Sequence, residues 1–158
     1  MKEFSSISGM IAHLALMDAH TTLALHHGLK QCAVAIEKTA DSEFGVYQGE
    51  VGAFAGWAPL ADATQAARVA LGYTPDDPLL RSGELQRSVT HEIDGLEAVI
   101  GSDSDIMVWQ ELGTDKIPPR AVLGPAAIRN KELITRTLGR AVAEGLLYGS
   151  GVSTALLE

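Results

Sequence analysis

Apolar residues occupy more than one side of a single long segment near the start of the chain. Over about residues 10–40 the sequence is rich in leucine and alanine and has few charged residues, which predicts one long α-helix. Ser8 is an available N-cap, and Asp41 and Glu43, followed by Gly45, end the segment. A helix that is apolar on several sides must be buried by something. Because the rest of the chain is small, we expect another subunit to cover part of this helix.

A second pattern, the alternation of apolar and polar residues, covers residues 86–101 and is interrupted by Asp94-Gly95. Such a dipeptide between two alternating runs is typical of a β-hairpin with a two-residue turn, which places Ile93 opposite Leu96. The face that this register directs towards a core consists of Val89, His91, Ile93, Leu96, Ala98 and Ile100. The other face carries polar residues and meets water or a neighbour.

Shorter patterns predict the remaining elements, which are a strand at residues 46–51 and helices at residues 59–71, 104–112 and 125–148. Pro59 and Pro125 suit the first turns of their helices. Gly72 and Gly113 are natural C-terminal stops, and Ser104 is an available cap. A strand is the alternative for residues 106–109.

Together the elements predict an α+β fold, with a long N-terminal helix and a small antiparallel sheet containing the Asp94-Gly95 hairpin packed against a C-terminal helix. The predicted regions are an N-terminal helical region at residues 1–43, an α+β body at 44–148 and a flexible tail at 149–158. The 158 residues have the size of one domain. Since aromatic residues make up only 5% of the chain, we expect helices that pack closely through small side chains.

Charge and composition exclude several classes of protein. Twenty acidic and twelve basic residues give a net charge of −8, whereas a protein that coats nucleic acid needs a cationic face. The longest stretch without Asp, Glu, Lys or Arg, residues 4–17, is shorter than the roughly 20 apolar residues that span a bilayer. The single cysteine, Cys32, excludes an internal disulfide. We therefore expect a soluble protein made in a reducing compartment.

No pattern in the sequence indicates a catalytic residue, a cofactor or a metal. His13, His20 and His27 are seven residues apart, about 10.5 Å along a helix, too far to share an ion whose bonds to imidazole measure about 2.0–2.1 Å. Nucleophile elbows and dinucleotide- or phosphate-binding loops are absent. His91 lies on the predicted apolar face, which indicates a core histidine. A small hydrolase that uses His91 and an acid stays open as an alternative.

Residues that shape the backbone are concentrated in three segments, LRSGEL (80–85), ELGT (111–114) and IPPR (117–120), and the first and last of these contain an arginine. Gly83 and Gly113 permit tight turns, and the prolines favour an extended link before the last helix. The guanidinium groups of Arg81 and Arg120 suit carboxylates or carbonyls. Their partners lie either across a subunit interface or within the chain, and the sequence favours neither.

These segments belong to an ordered series from Trp57 to Tyr148, which reads WAPL, TQAAR, LLRSGELQRS, GS, ELGT and IPPRAVLGPA. The series resembles the small neck, or tail-completion, proteins of tailed bacteriophages, also called virion-morphogenesis or head–tail joining proteins. The motif or interface residues that carry the resemblance are Trp57, Leu60, Leu80, Arg81, Ser82, Gly83, Leu85, Glu111, Gly113, Thr114, Pro119, Arg120 and Gly124.

The resemblance implies a non-enzymatic structural protein of the virion, located at the head–tail junction and assembled in the host cytoplasm. Such proteins form homo-oligomeric rings between connector proteins and the tail tube, without a cofactor, and DNA passes through the ring. A sixfold tail tube implies a hexamer, and tail terminator and stopper both stay open as roles. The remaining alternative is an acidic assembly adaptor, or chaperone, that is not retained in the virion.

Overall fold

The computed structural model describes residues 6–147 and confirms the predicted α+β fold class, with a long N-terminal helix, a two-stranded antiparallel sheet and C-terminal helices. The elements are α1 (Ile7–Glu43), α2 (Asp62–Ala70), α3 (Glu84–Arg87), β1 (Val89–Asp94), β2 (Glu97–Ser102), α4 (Asp105–Leu112), α5 (Leu123–Arg129) and α6 (Lys131–Leu147). None of these helices is long and apolar enough to cross a membrane. The predicted tail at residues 149–158 lies outside the described residues.

Contacts divide the described chain into two compact units, each assembled from separate stretches. The first unit contains residues 6–32, 93–98 and 132–147, and the second contains residues 33–92 and 99–131. The first is thus built from the beginning of α1, the hairpin turn and most of α6. The predicted division between residues 43 and 44 stays a prediction.

α1 is a few residues longer than predicted at both ends. The backbone N–H of Gly9 donates a hydrogen bond to the hydroxyl oxygen of Ser6 at 3.1 Å, so that Ser6 supplies the N-terminal cap. The predicted cap, Ser8, is wrong because this residue lies inside the first turn. After the helix ends, Gly45 has a φ of +84°, which only glycine adopts without strain from a Cβ atom.

The hairpin forms where predicted, but with a different register. Its connection is Gly95-Leu96, so Asp94 and not Ile93 begins the turn, and Leu96 is 52% exposed. Gly95 has a φ of +55° and Leu96 does not have a positive φ, the pattern of a type II′ turn with glycine first. Because the pairing moves by two positions, the other residues keep their predicted faces. The buried or half-buried ones are Val89, His91, Ile93, Ala98 and Ile100.

The predicted strand at residues 46–51 is wrong. The structure has an irregular segment there, with one isolated antiparallel bridge between Val51 and Phe54. A lone bridge leaves too few backbone pairs for a strand, because the two bridged residues are joined by a tight turn.

The predicted helix at residues 59–71 is α2, but it begins later than expected. Ala61 has an extended backbone (φ −61°, ψ 145°), and its carbonyl accepts the first hydrogen bonds of the helix, from the N–H groups of Thr64 and Gln65 at 2.8 and 3.0 Å. Ala61 is therefore the N-cap residue. Gly72 follows the helix with a φ of +80°, as its predicted role as a stop requires.

The helix predicted at residues 104–112 is confirmed as α4. Gly113 ends it with a φ of +74°. Ser104 occupies the N-cap position but its side chain makes no capping hydrogen bond, so this detail of the prediction is wrong.

The predicted last helix is in fact two helices, α5 and α6, interrupted at Asn130 (φ −91°, ψ 4°). Asn130 Nδ2 donates hydrogen bonds to Ala126 O and Thr39 Oγ1, both at 2.8 Å. A side-chain amide bonded to a preceding carbonyl competes with the helical hydrogen bonds, which accounts for the interruption. Pro125, expected at the first helical position, is the third residue of α5.

Small residues bring α1 and α6 close together in the first unit, as the composition predicted. A Cβ atom built on Gly28 would lie 3.3 Å from Leu138 Cδ2, and one built on Gly145 would lie 2.1 Å from Thr21 Oγ1. In the second unit the buried apolar side chains are Ala33, Ile36, Ala40, Phe44, Trp57, Val89, Met107, Ala121, Val122 and Ala126.

Candidate assembly surfaces and motif residues

Arg120 joins two of the predicted motif segments within the chain. Its side chain is buried, and its Nε and Nη2 donate hydrogen bonds to Ala58 O at 3.2 and 2.9 Å. The indole N–H of Trp57 donates in the opposite direction, to Ala121 O at 3.0 Å. For Arg120 the structure therefore supports the intrachain alternative, since its donors bind carbonyls next to Trp57 in the same chain. Leu60 lies two positions after Ala58 in the sequence and is half-buried.

Glu111 caps the N-terminus of α5. Its Oε2 accepts hydrogen bonds from the backbone N–H groups of Val122 and Leu123 at 2.7 and 3.2 Å, and its Oε1 accepts one from Gly124 at 3.0 Å. These are N–H groups that a helix cannot satisfy internally, and a carboxylate also suits the positive end of the helix dipole. The motifs ELGT and AVLGPA are thus connected by this one side chain.

Replacing Glu111 by Gln is expected to lower the free energy of unfolding by about 1–2 kcal/mol, because the uncharged amide offers one oxygen where the carboxylate offers two. Urea denaturation measures the change. The matched control is Glu132→Gln on α6, where an 86% exposed carboxylate pairs with Arg136 and removal should cost less than about 0.5 kcal/mol. Equal effects of the two substitutions would contradict the capping role.

Gly113 and Gly124 lie where a side chain has no room. A Cβ atom on Gly113 would lie 3.0 Å from both Ile117 O and Pro119 Cδ, and one on Gly124 would lie 2.2 Å from Phe54 Cζ. Thr114 Oγ1 accepts a hydrogen bond from the backbone N–H of Ile117 at 3.1 Å and closes the turn between them. These motif residues thus determine the conformation of the backbone that leads into α5.

The segment LRSGEL has both buried and exposed members. Gly83 is buried with a φ of +78° directly before α3, and Leu80 and Leu85 are half-buried. Ser82 is exposed and its Oγ accepts a hydrogen bond from the backbone N–H of Glu84 at 3.4 Å. Arg81 is exposed, and its guanidinium carbon lies 5.6 Å from the centre of the Tyr73 ring, a cation–π distance. Of the two arginines that the sequence analysis singled out, Arg81 is thus the exposed one and Arg120 the buried one.

Comparison of the chain with protein-family models, with curated proteins and with solved structures finds no match. The contacts of the motif residues indicate their roles. Most of them organise the second unit from within. The members whose side chains face solvent are Arg81, Ser82, Thr114 and Pro119.

A buried ion pair that the sequence analysis missed lies in the second unit. Glu43 is 1% exposed and pairs through Oε1 with Arg129, while its Oε2 is buried without a hydrogen-bond partner in the structure. Arg129 also donates from Nη2 to Gln48 Oε1 at 2.9 Å. Burial raises the pKa of Glu43 to about 7, more than Arg129 lowers it, and Glu111 raises it further. From the sequence, Glu43 was predicted only to end the first helix.

His91 is half-buried rather than a core histidine, so this prediction is wrong. Its Nδ1 forms a hydrogen bond with a carboxylate oxygen of Glu37, and this contact explains how a polar ring is accommodated on the core face of the hairpin. Glu37 also raises the pKa of Asp41, although burial of Asp41 is the larger cause. A carboxylate that orients an imidazole is one part of the machinery that the hydrolase alternative needs.

The other histidines differ in their surroundings. His13 and His20 are half-buried and His27 is exposed, while His26 Nδ1 forms a hydrogen bond with Gly95 O at 2.9 Å and anchors the hairpin turn to α1. Within residues 6–147 no three His, Cys, Asp or Glu side chains are grouped so that they could hold a metal ion. Cys32 is buried, and burial raises the pKa of its thiol.

A groove of about 670 Å³ lies between α1 and α6 in the first unit. Gly28 and Ala141 are among the small residues that line it, and Arg136 and Arg140 stand beside it. Each arginine is paired with a glutamate one turn away, at 2.7 and 2.9 Å. Because both cations are neutralised, the groove offers no unpaired arginine charge to an anionic ligand.

The beginning of α1 carries an apolar face that is largely exposed. We name as the α1 face its four residues Ile7, Met10, Ile11 and Leu14, which are 40–75% exposed and follow the i, i+3, i+4, i+7 spacing of one helix side. Seven and fourteen residues after Leu14, the same side of the helix reaches Thr21 and Gly28, which pack against α6. The α1 face thus lies on the same side of α1 as the contact with α6, nearer to the N-terminus of the helix.

A second exposed apolar face lies on α4. We name as the α4 face its residues Ile106, Val108, Trp109 and Leu112, which are 49–75% exposed. Met107, on the opposite side of the helix, is 3% exposed and anchors α4 to the core.

Proposed function

We propose that this protein is a non-enzymatic structural component of a tailed-phage virion, acting at the head–tail junction as a homo-oligomeric ring. The ring completes the neck or terminates the tail, and contacts connector and tail-tube proteins on its two sides. Six copies form it, in keeping with a sixfold tail tube. The proposal needs no cofactor and no membrane.

The observation that carries the proposal is the exposed α1 face. Four large apolar side chains on one helix side form a patch of the kind that marks protein interaction sites. The side chain of Arg120 is occupied inside the chain, as is that of Glu111, so the residues that resemble the neck family build a rigid body. The surfaces left for assembly are the apolar helix faces and the neighbourhood of Arg81.

The net charge of −8 suits passage of DNA through the ring. Like charges repel at short range, so an acidic lumen keeps the duplex from adhering to the wall. This is a requirement opposite to that of a DNA-coating protein, which must neutralise phosphates.

The wild-type chain is expected to assemble, and native mass spectrometry should find a species of six times the chain mass. Leu14→Glu, which puts a charge into the α1 face, is expected to yield a monomer with unchanged helical content. The control is Val69→Glu on α2, which alters an equally exposed apolar residue (57% against 54%) outside the face and should leave assembly intact. A wild-type chain that stays monomeric at every accessible concentration would contradict self-assembly.

Labelling of finished particles tests the location. An antibody against this chain should bind at the neck of intact virions. The assembly adaptor, the rival function, would be present in infected cells but absent from purified particles.

A further inference from the structure

We propose that neighbouring copies in the ring are joined by unlike surfaces, the α1 face of one copy packing on the α4 face of the next. This inference rests on the proposed ring and specifies the contact that closes it. The two faces are formed by residues 7–14 and by α4, and both are exposed in the isolated chain.

Ring closure requires two different patches on every subunit. A contact between identical patches is self-complementary and ends at a dimer, whereas a head-to-tail contact between unlike patches continues until a ring closes. An α1 face that bound only another α1 face would leave the chain a dimer. The α4 face supplies the second patch that a cyclic assembly needs.

The two faces match in length and in exposure. Residues 7–14 and α4 each comprise eight helical residues, about 12 Å at 1.5 Å per residue. The four large side chains of each face are exposed to a similar extent, 40–75% on the α1 face and 49–75% on the α4 face, so each face presents apolar surface that the contact can bury. Each copy makes this contact twice, once through each face.

The distribution of charge favours the unlike pairing over contact between two α4 faces. The exposed acids Asp103 and Asp105 stand at the beginning of α4. Between Ile7 and Leu29, by contrast, α1 has Asp18 as its single acid and neither lysine nor arginine. A nearly uncharged helix approaches an acid-flanked one without like-charge repulsion, which matters in a chain whose net charge is −8.

Two variants, each with one face blocked, test the contact in the full-length chain. Leu14→Glu blocks the α1 face and Leu112→Glu blocks the α4 face, at a residue that is 75% exposed. Each variant alone should be monomeric. An equal mixture, with one variant isotope-labelled, should form a one-to-one heterodimer and nothing larger, because only one intact pair of faces remains. Native mass spectrometry distinguishes these species, and circular dichroism checks that both variants keep their helices.

The controls distinguish a failure of the α1–α4 contact from a failure of the proposed ring. A chain carrying both substitutions should not pair with either single variant, and Val69→Glu should assemble as the wild type does. If wild-type and Leu112→Glu chains both form the ring, or if the mixture yields no heterodimer, the α1–α4 contact is overturned while the ring stands.

A monomeric wild-type chain would overturn the ring and this contact together. A chain shortened to residues 1–147 then identifies the occupant of the α1 face, because assembly on truncation would assign that face to the chain's own residues 148–158.

Discussion

Glu43→Gln is expected to change the pH dependence of stability by about 3 kcal/mol between pH 5 and pH 8. The pKa of Glu43 is about 7 in the folded chain and 4.5 in the unfolded reference. Between these values the folded state binds the proton and the unfolded state does not, so the contribution of Glu43 is complete below pH 4.5 and is lost as the pH rises to 7. The separation of the two pKa values corresponds to about 3 kcal/mol. Glutamine resembles the protonated acid and does not titrate.

The measurement is urea denaturation of both chains at several pH values. The free energy of unfolding of the variant minus that of the wild type should rise in favour of the variant from pH 5 to pH 8. Asp41, whose pKa is also raised, is present in both chains and cancels. Glu132→Gln, on the exposed side of α6, should keep the wild-type slope. Parallel curves for wild type and Glu43→Gln would show that Glu43 ionises normally.

Gly145→Ala is expected to lower the free energy of unfolding by about 3 kcal/mol, the upper end of the range for overpacking. A Cβ atom at this position would lie 2.6 Å from the Cα of Thr21 as well as 2.1 Å from its Oγ1. Since a backbone atom cannot rotate away, the new methyl group must push α1 and α6 apart. Thermal or urea denaturation, followed by circular dichroism, measures the loss.

The control lies on the same helix. Gly139 is exposed, and a Cβ atom there would meet nothing within 4 Å. Gly139→Ala should therefore raise the free energy of unfolding by up to about 1 kcal/mol, through the better helix propensity of alanine. If both substitutions stabilised the chain, the close approach of α1 and α6 at Thr21 would be refuted.

The sequence predicted best the features that depend on local periodicity. The faces of the hairpin were correct although its register was not, because a shift of two positions preserves the alternation of faces. α4 and its stop at Gly113 were also predicted from neighbouring residues. The break between α5 and α6 was missed, since it depends on a hydrogen bond from Asn130 to Thr39, 91 residues away.

The candidate site was predicted in its residue types but not in its contacts. Arg120 and Gly113 were singled out as an anchoring arginine and a turn glycine, yet the carbonyls that Arg120 binds come from a segment about 60 residues earlier. Glu43 gave no signal, because its ion-pair partner Arg129 lies 86 residues further along the chain. Local patterns identify residues with unusual backbone demands, whereas pairings of distant side chains follow only from the assembled fold.

The placement of the two tryptophans gives the protein a built-in optical reporter. Trp57 is 7% exposed inside the second unit, whereas Trp109 is 50% exposed on the α4 face. A soluble quencher such as acrylamide therefore reaches one indole far more readily than the other. Changes in intrinsic fluorescence on mixing would then arise chiefly from α4, and association could be followed in the unlabelled, unmodified chain.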